Sequence, residues 1–255
     1  RSEIPKHIYL TAHLPCEVIP DLVTRHAHAY SIHLFNDSSA RELLAAHFTD
    51  TVLEKYDALK GAHRADLWRY CVLYLNGGIY LDIKSIPIID LDLIFINKQI
   101  WYTCIADNSN SIYQGIIATP PANKILLECI HKILDTPITS IRSNYTVFTN
   151  QMMKIIKKQY NVRRLETGSI IESSYEDVPD LFLFKEVCSV RQCKYTKKDR
   201  YNLCCNIYDK NTHVFRTRHD QYPWKTLPIG ERPYDQKWWW QSAEDRDVPP
   251  TLQWR

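Results

Sequence analysis

The apolar and polar positions along this 255-residue chain repeat with two periods, and residues 61–85 show both. Their sequence is GAHRADLWRYCVLYLNGGIYLDIKS. Ala65, Trp68, Val72 and Leu75 fall at helical spacing and predict one apolar helix face. Asp66 and Arg69, three positions apart, share one side of that helix. Asn76-Gly77-Gly78 predicts its end, because glycine tolerates the left-handed backbone of a helix C-cap. Alternation then takes over. Ile79, Leu81 and Ile83 predict one face of a strand, and Tyr80, Asp82 and Lys84 the other.

Before this segment, residues 4–10 read as an opening strand and 20–29 as a helix, with Pro20 tolerated in its first turn. Residues 30–35 read as a second strand. Residues 36–39 form a turn that also suits a helix cap, and 40–56 read as one or two helices. This β-α-β-α order predicts an α/β fold with parallel strands. In such sheets ligands sit beyond the carboxyl ends of strands, and Asp82 lies at such an end. Further on, strands are expected at 99–106 and 112–118 around a polar loop at 107–111. Helices are expected at 123–134 and 148–158, the second ending in cations that suit the helix dipole. Beyond residue 162 the pattern weakens, and short strands fit 163–165, 181–184 and 203–208. Asp90-Leu91-Asp92 lacks a preceding Gly-Gly strand and follows a proline, so it reads as a loop or helix start rather than a metal site.

Composition narrows the class. A hydrophobic content of 45% suits one large domain with a full core, or two small ones. A net charge of +3 is too small to argue for a nucleic-acid partner. No apolar run reaches the roughly eighteen residues of a membrane span, and no signal peptide is visible. The sequence begins at Arg1 rather than Met, so the compartment stays open: cytoplasm, or Golgi lumen if an upstream anchor has been removed. Of the 8 cysteines, Cys16, Cys71, Cys104 and Cys129 lie in or beside apolar runs and read as core. Cys188, Cys193, Cys204 and Cys205 cluster, and one disulfide there would fit an oxidising compartment. The absence of a C-x-x-C pair argues against a zinc site. Asn36-Asp37-Ser38 and Asn144-Tyr145-Thr146 match the glycosylation sequon, a triplet that also arises by chance.

Residues 61–85 resemble the sugar-nucleotide-binding segment of glycosyltransferase family 32 and its relatives, which include the large clostridial glucosylating toxins. The family pattern is roughly A-x-R-S-D-x-x-R-Y, a helix, then G-G-x-Y-x-D-x-D. Here its positions are Ala62, Arg64, Ala65, Asp66, Arg69, Tyr70, Gly77, Gly78, Tyr80, Asp82 and Lys84. Ala65 stands where the family has serine. Lys84 stands where it has the second aspartate, which reaches the divalent metal. The resemblance implies one GT-A-type α/β domain over 1–255, with a Rossmann-like, mostly parallel central sheet flanked by helices. Residues 1–120 would hold the nucleotide sugar, and 121–255 would shape the acceptor side and the C-terminal part. It implies a retaining transferase that moves a hexose from a nucleotide-diphosphate sugar, first of all a UDP-sugar, to a glycan acceptor. Asp66, Arg69 and Asp82 would be catalytic. Tyr9, Leu10, Thr11, Arg64, Tyr80, Asp82, Lys84, Gln114, His219, Trp224 and Lys225 would bind the donor, and Asp82 would hold Mn2+ or Mg2+.

The chemistry of these residue types agrees. Breaking an anomeric C–O bond leaves a diphosphate whose charge must be stabilised while the sugar is held in line. Carboxylates accept hydrogen bonds from hydroxyls or hold a metal, and arginines offer forked donors to oxygens. Plainer readings exist. Asp66 and Arg69 also fit an ordinary i,i+3 pair worth about 0.2–0.5 kcal/mol, Gln114 a structural amide, and residues 213–225 a packed tail. Lys84 leaves three readings open: metal still binds through Asp82, the diphosphate and water; Lys84 replaces the metal; or Lys84 pairs with Asp82 in a weak or inactive enzyme. The alternative function is a catalytically silent carbohydrate- or nucleotide-sugar-binding protein on the same fold. A hydrolase using Asp66 and Asp82 as acid and base is a third.

Overall fold

The computed structural model describes residues 2–11, 21–188 and 204–218. Along them run β1 (His7–Thr11), α1 (Asp21–Arg25), β2 (Ser31–Phe35), α2 (Asp37–His47), α3 (Asp50–Ala58), α4 (Gly61–Asn76), β3 (Gly78–Leu81), β4 (Ser85–Pro87) and α5 (Leu91–Ile94). Then follow β5 (Trp101–Ile105), β6 (Ile112–Thr119), α6 (Lys124–Asp135), α7 (Ile138–Ser143), α8 (Val147–Gln159), β7 (Ile170–Ile171), β8 (Leu181–Cys188), β9 (Cys204–Asp209) and β10 (Thr212–Arg218).

The strands form one 10-stranded sheet in the order β2-β1-β3-β6-β5-β8-β9-β10-β4, with β7 paired to β8. β1 lies parallel to both β2 and β3, and β5 parallel to β8. From β2 to β8 only β6 runs against its neighbours, antiparallel to β3 and β5. β9, β10 and β4 extend the sheet in antiparallel steps. This is the α/β fold with a mostly parallel central sheet and flanking helices expected from the sequence, and it agrees with the GT-A-type reading.

Alternation along the strands divides the core into two layers. Ile8, Leu10, Ile79 and Leu81 face one layer, with Phe184 and Phe215. Tyr9 and Tyr80 face the other, against Leu67, Trp68 and Val72 of α4, Ile130 of α6 and Ile156 of α8. In α4 every residue from Asp66 to Leu73 is buried. The helix is thus enclosed nearly all round, and Asp66 and Arg69 are buried with it.

Local chemistry sets the element ends near the site. Asn36 caps α2 in a capping box with Ser39, and Asn123 caps α6. Gly77 and Gly78 turn the chain from α4 into β3 at φ +63 and +102. A Cβ on Gly77 would lie 2.6 Å from the Pro121 nitrogen, and one on Gly78 2.8 Å from the His7 carbonyl oxygen. Both positions therefore need glycine for handedness and for closeness.

Several boundaries differ from the sequence reading. The helix expected at 20–29 ends at Arg25, because the chain turns through 26–30 to bring the Ser31 N–H onto the Lys6 carbonyl and enter β2. β3 ends at Leu81 rather than Ile83. Ser85 N–H bonds back to the Asp82 carbonyl at 2.7 Å, so Lys84 sits in a turn and not on the strand. Residues 163–165 form no strand; Arg163 and Arg164 are exposed there, and β7 takes the place beside Leu181 and Phe182. The patterning missed α7, β4, β7 and β10. Asp90-Leu91-Asp92 opens α5, and Asp92 is held by Lys6, Lys98 and Tyr30. Cys71, Cys104 and Cys129 are buried free thiols, and Cys188 is disulfide-bonded to Cys205. Cys16, Cys193, His219, Trp224 and Lys225 lie outside the described residues.

Candidate functional site

β1, β2 and β3 are parallel, so Thr11, Asn36 and Asp82 come out on the same edge of the sheet. α4 lays Asp66 and Arg69 against that edge. Arg69 is the hub. Its Nη2 is 3.1 Å from Asp66 Oδ1 and 3.5 Å from Asp82 Oδ1. Nη1 donates to the Gln114 carbonyl at 2.7 Å, and Nε to the Ala65 carbonyl at 3.2 Å. The guanidinium also lies over the Tyr80 ring, 4.4 Å from its centroid. Tyr80 OH donates to Asp82 Oδ1 at 3.0 Å and is 3.1 Å from Thr11 Oγ1. Lys84 Nζ is 3.4 Å from Asp82 Oδ2 and 5.8 Å from the centroid of the Tyr113 ring.

The backbone of β6 closes the cluster from below. Asp82 N–H donates to the Gly115 carbonyl at 2.9 Å. A Cβ on Gly115 would meet the Tyr113 ring at 2.4 Å and Asp82 Oδ2 at 2.9 Å. Gly115 therefore leaves the space in which the ring and the carboxylate approach each other. Asp66 and Arg69 keep only 10% and 6% of their side chains exposed, whereas Asp82 and Lys84 keep 18% and 16%. The inner pair holds the outer pair, and the outer pair meets solvent.

The charges are tuned by these contacts. Burial pushes the Asp66 carboxyl up, with the Arg69 guanidinium pulling the other way. Burial also opposes ionisation of Asp82, but Arg69, then Lys84 and the Tyr80 hydroxyl outweigh it and hold this carboxyl below its ordinary value. Arg69 is raised: burial disfavours its charge, and Tyr80, Asp66 and Asp82 more than compensate.

The structure thus gathers Thr11, Asp66, Arg69, Tyr80, Asp82 and Lys84. Of the other expected donor residues, Gln114 joins the cluster only through its backbone carbonyl, and the rest of those described lie elsewhere. Tyr9 is buried and stacks on His33, ring centroids 5.3 Å apart, and Leu10 is buried in the opposite layer. Arg64 ties helices together: it donates to Asp37 at 2.7 Å and to the Leu59 carbonyl at 2.9 Å, and stacks on Tyr56. Gln114 is buried beside Tyr70, and neither its amide nor the Tyr70 hydroxyl makes a well-formed hydrogen bond. A small pocket opens beyond β1 and β2, lined by Thr11, Asn36, Asp37, Tyr56, Ala65 and Trp68. The Trp68 indole N–H is buried without a partner.

Three residues escaped the sequence reading. Tyr113 packs under Lys84, with its hydroxyl 2.7 Å from Ser85 Oγ. Glu186 is buried near the end of β8, within electrostatic reach of Lys84, and burial pushes its carboxyl up despite a hydrogen bond from the Asp107 N–H. Its signal was an acid near the end of the apolar strand LFLFKEVC, as Asp82 follows GIYL. Tyr145 stands 56% exposed within electrostatic reach of Lys84, Asp66 and Asp82.

Asp82 is the one expected metal ligand in this cluster. Elsewhere among the described residues, Glu186, Cys188 and Cys205 come close enough to share an ion, but the disulfide takes both sulfurs.

Residues 17–101 match the family model described as glycosyltransferase sugar-binding region containing DXD motif. Asp66, Arg69, Asp82 and Lys84 all fall inside the match, which bears out the resemblance to family 32 enzymes. It supports sugar transfer in general, and enzymes with such a region commonly use a divalent metal. Among solved structures, the chain is similar to a PaToxG glycosyltransferase at 13% identity and a TM-score of 0.44, over 62% of this chain and 69% of that one. No curated protein matches the chain. Among the described residues, no helix is long and apolar enough to cross a membrane.

Proposed function

We propose that this chain is a hexosyltransferase. It takes a hexose from a nucleotide-diphosphate sugar, with UDP-sugars the first donors to test, and passes it to a glycan acceptor with retention of configuration. The proposal is carried by the Asp66–Arg69–Asp82 cluster at the carboxyl edge of a mostly parallel sheet, where ligands of such sheets bind. Asp66 and Asp82 accept hydrogen bonds from ribose or sugar hydroxyls. Arg69 fixes both carboxylates before substrate arrives, so no reorganisation is required during reaction. Thr11 and Tyr80 continue the row of polar groups towards the pocket beyond β1. In this reading 1–255 is one domain. Residues 1–120 hold the donor, and 121–255, with His219, Trp224 and Lys225, complete the diphosphate contacts and the acceptor side.

Two cations compete to neutralise the diphosphate: Mn2+ or Mg2+ on Asp82, or the ammonium of Lys84. The Lys84–Asp82 ion pair also favours a second reading, a silent nucleotide-sugar-binding protein. A hydrolytic acid/base pair gains no support, because Asp66 and Asp82 both hold the same guanidinium nitrogen. Release of nucleotide from a panel of UDP- and GDP-sugars, with a glycan acceptor mixture, tests the proposal. Wild type should turn over at least one donor, and Asp82→Asn should slow it by on the order of 10²-fold. Binding without turnover would favour the silent protein, and neither binding nor turnover would remove both readings.

A further inference from the structure

We propose that Lys84 replaces the divalent cation, so that the site holds a nucleoside diphosphate without metal. The inference rests on the glycosyltransferase reading and specifies how that site handles its leaving group.

Charge is the first support. Asp66 and Asp82 carry two negative charges, and Arg69 and Lys84 two positive ones, so the cluster is neutral. An aspartate at position 84 would give three negative charges against one positive, a net −2, which one divalent ion cancels. Lysine for aspartate changes the charge by +2, the charge of the ion it would displace. Glu186 lies near in either case and leaves that difference unchanged. Before nucleotide binds, a divalent ion added to these four groups would leave an excess of +2 among partly buried side chains, which is costly.

Ligand supply is the second. Mg2+ takes six oxygens at about 2.1 Å, and at a phosphate site it asks the protein for one or two free carboxylates while phosphates and water give the rest. Asp82 Oδ1 already accepts from Tyr80 OH and faces Arg69 Nη2. Asp82 Oδ2 faces the Lys84 ammonium at 3.4 Å, and Asp66 Oδ1 holds Arg69 at 3.1 Å. An ion on Asp82 Oδ2 would sit against a fixed positive charge. The residues present do not fit a divalent metal.

Placement is the third. The turn closed by Ser85 N–H on the Asp82 carbonyl brings position 84 back over the cluster. The Tyr113 ring lies beneath the ammonium, and the Tyr113 hydroxyl is anchored at Ser85 Oγ. At 16% exposure the Lys84 side chain is held at the mouth of the cluster rather than spread into solvent. An ammonium offers three donors to phosphate oxygens and is charged at neutral pH.

The test is calorimetric titration of UDP and of GDP into the full chain, once in EDTA and once in MnCl2, for wild type, Lys84→Met and Lys84→Asp. Wild type should bind one of them with affinities within about twofold in the two buffers. Lys84→Met should weaken that binding by about tenfold or more in both. Lys84→Asp should bind poorly in EDTA and recover in manganese. Wild-type binding that requires manganese overturns the proposal and leaves the glycosyltransferase reading standing. Unchanged affinity in a folded Lys84→Met overturns it as well. No binding of either nucleotide in either buffer removes both the inference and the donor site. Should the variants fail to fold, the wild-type comparison of EDTA with manganese decides alone.

Discussion

Arg69 is the side chain on which the cluster depends, because it is buried and serves two carboxylates at once. Removing it leaves both acids without their shared cation. Arg69→Met should therefore lower the free energy of unfolding by about 3–5 kcal/mol, read from urea denaturation, and abolish donor turnover. Asp82 carries a pH signature. Its carboxyl is held below 3.8 in the folded chain, so it contributes stability above that value and loses it as pH falls through the folded value. Asp66 is raised and works in the opposite direction. Between about pH 5 and about pH 3, the unfolding midpoint of Asp82→Asn should fall less than that of wild type. An equal fall would mean that Asp82 is not held by its cations. In the sequence, helical spacing placed Asp66 and Arg69 on one side of α4 and alternation placed Asp82 after β3; that the three side chains meet is what the structure adds. The place of Arg64 was not legible there, because its partners Asp37, Leu59 and Tyr56 come from other stretches of chain. Glu186 was hidden for a related reason: a charge next to Lys185 reads as solvated until β9 is seen to cover it.

At the scale of elements, the corner between α4 and β3 aims the site. Its helix and its stop were readable from period and glycine chemistry. The extent of β3 was not, since alternation continued on paper through Ile83 while the Ser85–Asp82 hydrogen bond ended the strand. β4 has only three residues and no period to read, and it exists by pairing with the distant β10. Gly78→Ala should cost roughly 1–3 kcal/mol, because it combines φ +102 with a contact on the His7 carbonyl oxygen. The readout is the thermal unfolding midpoint. Gly115→Ala is a sharper probe of the site. Its backbone needs no positive φ, but its Cβ would displace Tyr113 and Asp82. It should weaken nucleotide binding more than it lowers stability; the reverse order would place Gly115 outside the site.

Across the whole molecule, one sheet joins the two parts of the chain. β5 lies beside β8 in parallel register, and β10 returns to β4 next to the Asp82 turn. The Cys188–Cys205 disulfide clasps β8 to β9 across a separation of 17 residues. Reduction, or Cys205→Ser, should cost ~3 kcal/mol, measured as a drop in unfolding free energy in dithiothreitol. The sequence could place a disulfide in this cluster but not pair it, because pairing follows the register of two strands. The central claim is that Asp66, Arg69 and Asp82 together hold an activated sugar. Its most direct test is equilibrium binding of a nucleotide-sugar panel to wild type and Asp82→Asn. At least one member should bind wild type, and the variant should bind it about tenfold or more weakly. A panel with no binder, or equal affinity in a folded Asp82→Asn, would contradict the claim.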